Sequence, residues 1–490
     1  MIKEVTVTPG TRLEEYADSV YLTGVVEKLK KILDKTASNL KKHTVWMVNS
    51  TAEGGGVAEM LPRMIFMLRE AGITARWAVI STEQTAFFNL TKRMHNLFHG
   101  SGRPELSKAD FDLYENVSTE LVQDMKKLVQ TDDIVVIHDP QPAGMGSRLK
   151  DITGVKTIFR CHIGLDKKTE QTTTIWNFMK PYLQNYDQAV FTAPEYIPSY
   201  LKDRSVIIHP ALDPFTAKNR ELRIPRLTSI LYASGLAVKP QQLAVNTYQH
   251  QAERLQSDNT FKTATLPQDI GLLSHPFILQ VSRWDNLKGW QELMEAFIKL
   301  KQNINAYAED KPGEHKKRLQ QLRLVMAGPE TAAVKDDPEA QEVLQILSKK
   351  YCELHADLQK DIILLSLPMT SREENALMVS ALHTCATAVV QNSIQEGFGL
   401  TATEPMWKGT PVIVSNACGL RQQVTAGREA AMIQSPGDSE DVAATINQTL
   451  SNPDQMEAMA QKARRRVRDE FLIFTQLDKY CQLLNRLVKK

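Results

Sequence analysis

Apolar, β-branched runs alternate with longer stretches of helical periodicity along most of the chain. In the first half, the runs 44–48, 133–138 and 188–192 predict buried strands, and a second series of strands begins at 276–281. Strands that alternate with helices favour a mostly parallel sheet with helices on both faces, so the pattern predicts an α/β protein. Further strands are predicted at 74–80, 156–160, 206–208, 323–327, 361–364, 386–390, 412–414 and 431–433.

Two alternating series in 490 residues predict two domains, since a domain typically takes about 100–200 residues. The polar, irregular stretch 216–275 separates the series, and we interpret it as a connection with an insertion. The expected boundaries are 1–215 for the first domain and 276–474 for the second. Helices are predicted at 20–42, 60–71, 84–130 (with Ser107 as an N-cap) and from about 439 onwards, the last one starting at about 475.

A glycine-rich loop in the second series lies between a predicted strand and a predicted helix, 401–408. Gly409 fits the C-terminal cap of that helix, and Pro411 blocks its continuation. Glycines let a backbone approach a ligand closely, and the free N–H groups at a helix start attract an anion such as a diphosphate. The loop is therefore a candidate site for a ligand that carries a phosphate group. Its residues are Gly397, Phe398, Gly399 and Leu400.

Two carboxylates stand eight residues apart around this loop, Glu396 within it and Glu404 about one turn into the helix. A carboxylate on the helix can accept hydrogen bonds from both hydroxyls of a ribose, and a carboxylate in the loop can accept them from sugar hydroxyls. The alternative is an ordinary strand–loop–helix unit with glycines for the turn and glutamates on the surface.

A second glycine cluster follows the first buried strand. Gly54, Gly55 and Gly56 lie directly between that strand and a helix, at the carboxyl end of the predicted sheet. Ligands of such folds bind at that edge, so the backbone there can approach a sugar or a phosphate. The alternative is a flexible turn. The cluster is not a Walker loop, because no Gly-Lys-Ser/Thr sequence follows it.

Two further strand ends of the first half carry polar side chains. His162 ends one strand, although a lone histidine is more often structural than catalytic. Asp139 and Gln141 lie in a strand-end segment whose prolines also explain a turn without any function. We treat His162, Asp139 and Gln141 as candidate site residues.

Arg283 and Lys288 follow the first predicted strand of the second domain. Either could be a surface charge. Together they can neutralise a leaving diphosphate without a metal ion, because arginine is a rigid fork of donors and lysine is a point charge. The acidic pair Asp110 and Asp112 lies in a predicted helix and not after a strand, so we expect no catalytic metal.

Composition narrows the class of protein. The chain is 42% hydrophobic and 24% charged, which is typical of a globular protein, and its net charge of +2 gives no electrostatic indication of nucleic-acid binding. Five cysteines are scattered without a C-x-x-C motif, as expected in a reducing compartment. The first residues lack the apolar core of a signal peptide, and no apolar run approaches the ~20 residues of a membrane span. We expect a cytoplasmic protein, and we leave its oligomeric state open, with a homodimer as one alternative.

The segment Glu396-Gly-Phe-Gly-Leu-Thr-Ala-Thr-Glu404 resembles the E-x7-E donor-binding signature of retaining glycosyltransferases with the GT-B fold, the superfamily of glycogen, sucrose and trehalose synthases. Pro405 departs from the alanine that is common there. The segments Asn49–Glu59, His138–Pro142 and Arg160–Ile163 are most similar to trehalose synthases of the glycosyltransferring type. The resemblance covers about 40–215 and 276–475, and it is lost at 216–275 and at about 303–318.

This resemblance implies two Rossmann-like, doubly wound domains facing a central cleft, with the last helix crossing back to the first domain. It implies a metal-independent transfer of glucose, with retention, from a nucleoside-diphosphate glucose to a small sugar acceptor. Glucose is the expected acceptor and trehalose the expected product. The nucleotide sugar is a substrate, so no cofactor is expected. The implied roles are orientation of the transferred sugar by His162, stabilisation of the diphosphate by Arg283 and Lys288, binding of sugar hydroxyls by Glu396 and binding of the ribose by Glu404. The resemblance also implies that the loop Gly397–Leu400 binds the donor and that Asp139 and Gln141 contact the acceptor.

Three other readings stay open. A trehalose phosphorylase would use the same pocket with phosphate in place of a nucleotide. A nucleotide-sugar 2-epimerase would need acid and base carboxylates in the cleft and no acceptor. A non-catalytic sugar-nucleotide sensor would bind without turnover, although the candidate residues Arg283, Lys288, Glu396 and Glu404 are all present.

Overall fold

The computed structural model describes residues 1–52, 56–81, 84–239, 245–264, 270–331 and 338–489. It divides into two compact units, which we describe separately. Unit 1 comprises Met1–Ala211 and Asp469–Lys490, and unit 2 comprises Leu212–Arg468. Both divisions fall slightly earlier in the chain than the predicted boundaries at 215 and 475.

Unit 1 is built on a sheet that has the strand order β1-β3-β2-β4-β5-β6-β7 in the described residues. All neighbours in it are parallel except β1, which pairs antiparallel with β3. The strands are β1 (Ile2–Val5), β2 (Val45–Asn49), β3 (Ala75–Ile80), β4 (Ile134–His138), β5 (Lys156–Cys161), β6 (Gln188–Phe191) and β7 (Ser205–Ile207). The helices are α1 (Leu13–Ala17), α2 (Thr23–Asn39), α3 (Gly56–Glu70), α4 (Thr85–Phe98), α5 (Lys108–Met125), α6 (Pro140–Thr153) and α7 (Glu170–Leu183).

The central strands of unit 1 confirm the strand predictions. Every residue of β2 and β4 is buried, as expected for parallel strands covered by helices on both faces. The predicted helical stretch 84–130 is in fact two helices, α4 and α5, because the chain turns at the glycines Gly100 and Gly102 with positive φ. Ser107 is the N-cap of α5, as predicted, and its Oγ accepts the Asp110 N–H at 3.2 Å.

Unit 2 contains a sheet with the strand order β15-β14-β13-β10-β11-β12-β8-β9, counted over the described ranges. The strands are β8 (Glu253–Leu255), β9 (Phe261–Thr263), β10 (Phe277–Val281), β11 (Arg323–Pro329), β12 (Ile362–Leu367), β13 (Ala388–Gln391), β14 (Val412–Ser415) and β15 (Ala431–Ile433). The helices are α8 (Ile224–Ala233), α9 (Trp290–Gln302), α10 (Ile304–Tyr307), α11 (Gly313–Gln321), α12 (Pro338–Cys352), α13 (Ala356–Asp361), α14 (Arg372–Cys385), α15 (Leu400–Lys408), α16 (Cys418–Arg421), α17 (Ser439–Leu450) and α18 (Pro453–Arg466).

The stretch 216–275, which we interpreted as a connection with an insertion, contributes to the fold of unit 2. It supplies α8 and the two edge strands, and β8 pairs antiparallel with β12. Each edge strand has three residues, which is too short for an alternating pattern to be recognised. The parallel strands β10 to β15 follow the predicted series.

The end of the chain returns to unit 1 as α19 (Ile473–Val488). α19 lies against α2, where Asn485 Nδ2 donates to Thr36 Oγ1 at 2.8 Å and Asn39 Nδ2 donates to Asn485 Oδ1 at 2.7 Å. Gln476 Nε2 also donates to the His209 carbonyl at 3.0 Å. Neither this helix nor any other described one combines the length and the apolar character needed to cross a membrane.

Candidate functional site

The glycine-rich loop of unit 2 leaves β13 and enters α15 at Gly399. Gly399 has φ = +81°, and a Cβ atom there would lie 2.8 Å from the Glu396 side chain, so only glycine fits. α15 begins at Leu400 and ends at Gly409, which has φ = +77° and caps the helix as predicted. Pro405 lies inside this helix without ending it.

A second strand–helix connection holds the loop in place. A Cβ atom on Gly419 would overlap the backbone of Phe398, so the two loops are in close contact. Gln423 Nε2 donates to the carbonyls of Gly399 (3.2 Å) and Gly419 (3.1 Å) and also to that of Phe398. The buried Thr403 hydroxyl in turn donates to Gln423 Oε1. The buried side-chain amide of Gln423 therefore holds the glycine-rich loop in place. The sequence analysis did not single out Gln423.

The structure brings together two predicted residues from distant parts of the chain, Lys288 and Glu396. Lys288 Nζ lies 2.7 Å from Glu396 Oε2, and each side chain is 13% exposed. Ser393 Oγ donates to the same carboxylate oxygen at 3.2 Å. The loops that carry the two residues are joined by a backbone hydrogen bond from Ile394 N–H to the Leu287 carbonyl at 2.8 Å. This pair is a preformed, partly buried cation–carboxylate site at the carboxyl edge of the sheet.

Arg283 lies near the carboxyl end of β10 but is not part of that pair. Its side chain is 67% exposed, and Nη2 lies 3.1 Å from Asp285 Oδ2. The Trp290 indole N–H donates to the Arg283 carbonyl at 3.0 Å, which holds the backbone while the guanidinium extends into solvent. An exposed guanidinium on a fixed backbone is able to reorient toward an anion.

Buried amides set the backbone on which Lys288 stands. Gln280 Nε2 donates to the Lys288 carbonyl at 2.8 Å, and Asn392 Nδ2 donates to the Gly289 carbonyl at 3.1 Å and to the Pro436 carbonyl at 3.0 Å. Gly289 has φ = +61°, and a Cβ atom there would overlap the Asn392 backbone. The sequence analysis did not single out these amides, because nothing local shows that a glutamine or asparagine side chain is buried against a backbone carbonyl.

Glu404 is nearly buried on α15, with a side chain that is 6% exposed. Lys218 Nζ lies 3.3 Å from Glu404 Oε1. Lys218 was missed by the sequence analysis, because it lies in the stretch that we interpreted as a connection. The carboxylate predicted to bind a ribose therefore has a cationic neighbour within unit 2.

In unit 1, the predicted glycine cluster is described only in part. Gly54 and Gly55 lie outside the described residues. Gly56 is the first residue of α3, and a Cβ atom on it would have no described atom within 4 Å. The described geometry at Gly56 does not itself require a glycine.

His162 forms a stacked pair with His138, which ends the neighbouring strand β4. His138 Nδ1 and His162 Nε2 are 3.0 Å apart, and the rings are nearly parallel at an angle of 12°. Burial, helped by the charge of Arg160, lowers the pKa of His138 to about 3 and holds the pKa of His162 well below its usual value. Both imidazoles are therefore neutral at pH 7, so one ring nitrogen of the pair donates and the other accepts.

Asp139 supports His162 through the backbone. Asp139 Oδ1 accepts the His162 backbone N–H at 2.8 Å, and Asp139 itself has a positive φ of 63°. Burial raises the pKa of Asp139 to about 6, although the His162 N–H and the charge of Arg160 act in the opposite direction. Gln141 lies in the first turn of α6, and its Oε1 is buried with no hydrogen-bond partner among the described residues. Asp139 is thus engaged in holding the strand end that presents His162.

Beneath this histidine pair lies a buried arginine that the sequence analysis did not predict. The Arg160 side chain is fully buried, and its Nη1 donates to the Cys161 carbonyl at a long 3.5 Å. Its Nε and Nη2 have no hydrogen-bond partner in the described part of the chain, nor have the hydroxyls of Thr192 and Tyr480. The two imidazole rings of the unit 1 site are therefore neutral, and they lie near an enclosed guanidinium and the Asp139 carboxyl.

Unit 2 also contains an open polar pocket of about 500 Å³ at the carboxyl ends of β11 and β12. It is lined by Glu253 and Glu330 and by Tyr248 and His250, among others. Burial, together with the charge of Glu330, raises the pKa of Glu253. Three of these four residues belong to the stretch 216–275, where the sequence analysis predicted no site.

The acidic pair Asp110 and Asp112 lies in α5, in a helix as predicted. Asp110 belongs to the N-terminal cap of α5 and forms a 2.7 Å ion pair with Arg93. Within the described ranges, no group of three or more histidine, cysteine, aspartate or glutamate side chains is arranged to hold a metal ion.

Comparisons with known proteins match both halves of the chain. Residues 47–198 match the family model "Trehalose synthase, N-terminal domain", and residues 265–466 match "Glycosyl transferases group 1". The chain is 31% identical over 462 residues to a trehalose synthase of Pyrococcus horikoshii, covering 94% of each protein. It is 24% identical to a trehalose phosphorylase of Pleurotus pulmonarius, over 95% of this chain and 60% of the phosphorylase.

A solved structure gives the same overall result. The α,α-trehalose-phosphate synthase (UDP-forming) from Burkholderia xenovorans, in complex with glucose-6-phosphate, superposes with a TM-score of 0.64 at 15% identity. The superposition covers 90% of this chain and 99% of that protein. At this low identity the likeness concerns the fold.

Proposed function

Since the chain belongs to the trehalose synthase family of group 1 glycosyltransferases, we propose that it transfers glucose, with retention, from a nucleoside-diphosphate glucose to a second glucose to make trehalose. The fold is the predicted one, an α/β protein of the GT-B type with two Rossmann-like domains. The chain is thus a trehalose-related hexosyltransferase, and the donor, the acceptor and the retention of configuration are the parts we propose.

One observation carries the proposal, the 2.7 Å contact between Lys288 and Glu396. A lysine beside a carboxylate offers both partners that a nucleotide sugar needs. The ammonium can bind a phosphate oxygen, and the carboxylate can accept hydrogen bonds from hydroxyls of the transferred sugar. Because the two side chains are held together before any ligand binds, little rearrangement is needed when the donor enters.

The reaction follows from these positions. As the bond between the sugar and the diphosphate breaks, negative charge develops on the departing phosphate, where Lys288 and the exposed guanidinium of Arg283 can stabilise it. The departing phosphate oxygen then takes the proton of the acceptor hydroxyl, and that hydroxyl bonds to the sugar on the face that the phosphate leaves. Configuration is retained without a side-chain nucleophile.

The neutral histidine pair of unit 1 suits a sugar and not an anion. His162 uses Nε2 toward His138, so Nδ1 is the ring nitrogen left to meet a sugar hydroxyl. A neutral imidazole orients a hydroxyl without adding charge. We propose that His162 orients the transferred glucose and that Asp139 keeps the backbone of His162 in place.

A phosphorylase is the second candidate, supported by the match to the Pleurotus pulmonarius protein along 95% of this chain. The same Lys288–Glu396 site can bind phosphate. The two activities differ in the product that forms from trehalose, since phosphate yields glucose 1-phosphate and a nucleoside diphosphate yields a nucleotide sugar.

The deciding experiment identifies products. We would incubate the protein with UDP-, ADP- and GDP-glucose and a panel of sugars, and assign the linkage and anomeric configuration of the product by NMR. We expect trehalose from glucose, and none with Glu396→Gln. Glucose 1-phosphate from trehalose and phosphate, with no synthesis from any nucleotide sugar, would favour the phosphorylase. No turnover in either assay would contradict both. The cytoplasmic location and a homodimer stay predictions.

A further inference from the structure

Unit 2 begins with a compact turn whose shape is set by Asp213. Asp213 Oδ1 accepts the Phe215 N–H at 2.9 Å, and the Asp213 carbonyl accepts Asn219 Nδ2 at 3.0 Å. The Arg220 N–H closes the turn on the Thr216 carbonyl at 2.9 Å. Asn219 is 5% exposed, so the turn is anchored in the unit. The backbone of Lys218, which lies inside this turn, is therefore held in one place.

From this turn, Lys218 reaches the candidate ribose carboxylate. Its Nζ lies 3.3 Å from Glu404 Oε1, and the two side chains are 37% and 6% exposed. A carboxylate this deeply buried loses most of its hydration, and a neighbouring cation offsets that loss. The partly exposed ammonium of Lys218 remains hydrated on one side, so its desolvation penalty is smaller than that of a fully buried lysine.

The other basic groups near Glu404 have different roles. Lys408 lies one turn further along α15, and its Nζ donates to Ser380 Oγ at 2.8 Å and to the Arg220 carbonyl at 3.3 Å. Burial lowers the pKa of Lys408 to about 8, against the opposing charges of Glu404 and Glu221. His383 is fully buried, and burial, aided by Lys408 and Lys218, holds its pKa well below the usual value, so it stays neutral. Lys218 Nζ lies 3.3 Å from the Glu404 carboxylate, whereas Lys408 Nζ donates to Ser380 and to the Arg220 carbonyl.

We propose that Lys218 is a positioning residue for nucleotide binding, which keeps Glu404 aimed at the ribose hydroxyls. This inference rests on the proposed function, in which Glu404 accepts hydrogen bonds from the ribose of the donor. Lys218 acts through Glu404 and does not touch the reacting atoms. It also links the first turn of unit 2 to the nucleotide site, so the chain just after the unit boundary contributes to donor affinity.

The test compares Lys218→Met, Lys218→Arg, Glu404→Gln and the double variant Lys218→Met/Glu404→Gln. The matched control is Lys317→Met, a lysine paired at 3.0 Å with Glu314 on the exposed face of α11. Binding of UDP, ADP or GDP, whichever the protein binds most tightly, is measured by calorimetry. The 2′,3′-dideoxy form of that nucleotide is the second probe, because it lacks the hydroxyls that Glu404 would bind.

We expect Lys218→Met to weaken the parent nucleotide roughly tenfold, as for loss of one charge-assisted interaction, with the KM of the acceptor unchanged. Lys218→Arg should stay within about threefold, since it keeps the charge. The effect of Lys218→Met should disappear with the dideoxy nucleotide and in the Glu404→Gln background. Lys317→Met should bind like the unmodified protein.

The outcomes distinguish a failure of the role of Lys218 from a failure of the proposed function on which that role rests. If Glu404→Gln leaves affinity for the parent nucleotide unchanged, the ribose assignment is wrong and the role of Lys218 fails with it. If Glu404→Gln weakens binding but Lys218→Met does not, the role of Lys218 alone is overturned. It is also overturned if Lys218→Met weakens the dideoxy nucleotide as much as the parent. Thermal unfolding confirms that each variant is folded, and Lys218→Gln replaces Lys218→Met if the methionine variant is not.

Discussion

The candidate site in unit 2 is built from opposite charges in contact, whereas the one in unit 1 is built from neutral rings. Lys288 and Glu396 form a 2.7 Å ion pair in unit 2. In unit 1, His138 and His162 share a hydrogen bond of 3.0 Å above the enclosed guanidinium of Arg160. Charges suit the binding of a diphosphate, and neutral donors and acceptors suit the hydroxyls of a sugar. Under the proposed function, the cations of unit 2 bind the diphosphate, and the neutral His162 of unit 1 helps Glu396 to orient the sugar.

The two arrangements also differ in the free energy needed to bury a positive charge. In unit 2, the attraction between the partly buried lysine and the carboxylate offsets much of the free energy of hydration that both groups lose. A protonated histidine in unit 1 would instead lie near the buried guanidinium of Arg160, whose positive charge disfavours a second cation. The neutral form of each histidine is therefore lower in free energy than the protonated form, so both histidines of unit 1 are neutral.

The largest expected effect comes from breaking the ion pair of unit 2. We expect Lys288→Met to lower kcat about 10²–10³-fold, because it removes a charge that stabilises the leaving diphosphate. Steady-state kinetics with the nucleotide sugar identified above would measure the change. The matched control is Lys299→Met, which breaks an exposed pair with Glu440 at 2.9 Å and should leave activity within about twofold. Equal losses in the two variants would contradict a specific role for Lys288.

The next largest effect is a loss of stability at low pH, where the neutral histidine His138 becomes protonated. The folded-state pKa of His138 is lowered to about 3 from an ordinary value of 6.5, so its contribution is complete above pH 6.5 and is lost as pH falls toward 3. At pH 4.5 the loss amounts to about 2–3 kcal/mol of unfolding free energy, at about 1.4 kcal/mol per pH unit. Urea unfolding between pH 7.5 and 4.5 would measure it.

The same experiment on variants assigns the loss to one residue. His138→Asn should flatten the dependence on pH by about that amount, because asparagine binds no proton in this range. His355→Asn is the control, since the side chain of His355 is 79% exposed. An unchanged pH dependence in His138→Asn would show that the enclosed histidine does not titrate as the geometry requires, and the contrast between the units would lose its basis.

The smallest effect is expected from removing metal ions, which should leave activity unchanged. If the side-chain cations Lys288 and Arg283 are sufficient for the diphosphate, kcat/KM should stay the same in EDTA, since arginine and lysine bind phosphate without a metal. The assay is repeated after extensive chelation and again with added Mg²⁺ or Mn²⁺. Activity that is lost in chelator and restored by either ion would mean that the charged site of unit 2 needs a further cation.

Several features of this protein were determined by local sequence. The alternating pattern predicted the parallel strands of both sheets, the glycine at 409 predicted the end of α15, and Ser107 predicted the start of α5. These depend on residues within a few positions of each other, so their physical causes, which are burial periodicity, positive φ and capping, can be read along the chain. The E-x7-E signature is equally local, and it predicted the fold that the structure confirms.

The tertiary structure alone decided which of these residues meet and in what charge state. Lys288 and Glu396 are 108 residues apart, and Lys218 and Arg160 were not recognised as part of any site. Nothing local distinguishes a buried arginine from an exposed one, or a lysine beside a carboxylate from one in solvent. Contacts between distant segments and the loss of water around a side chain exist only once the sheets have formed, and these set pairing, pKa and chemistry.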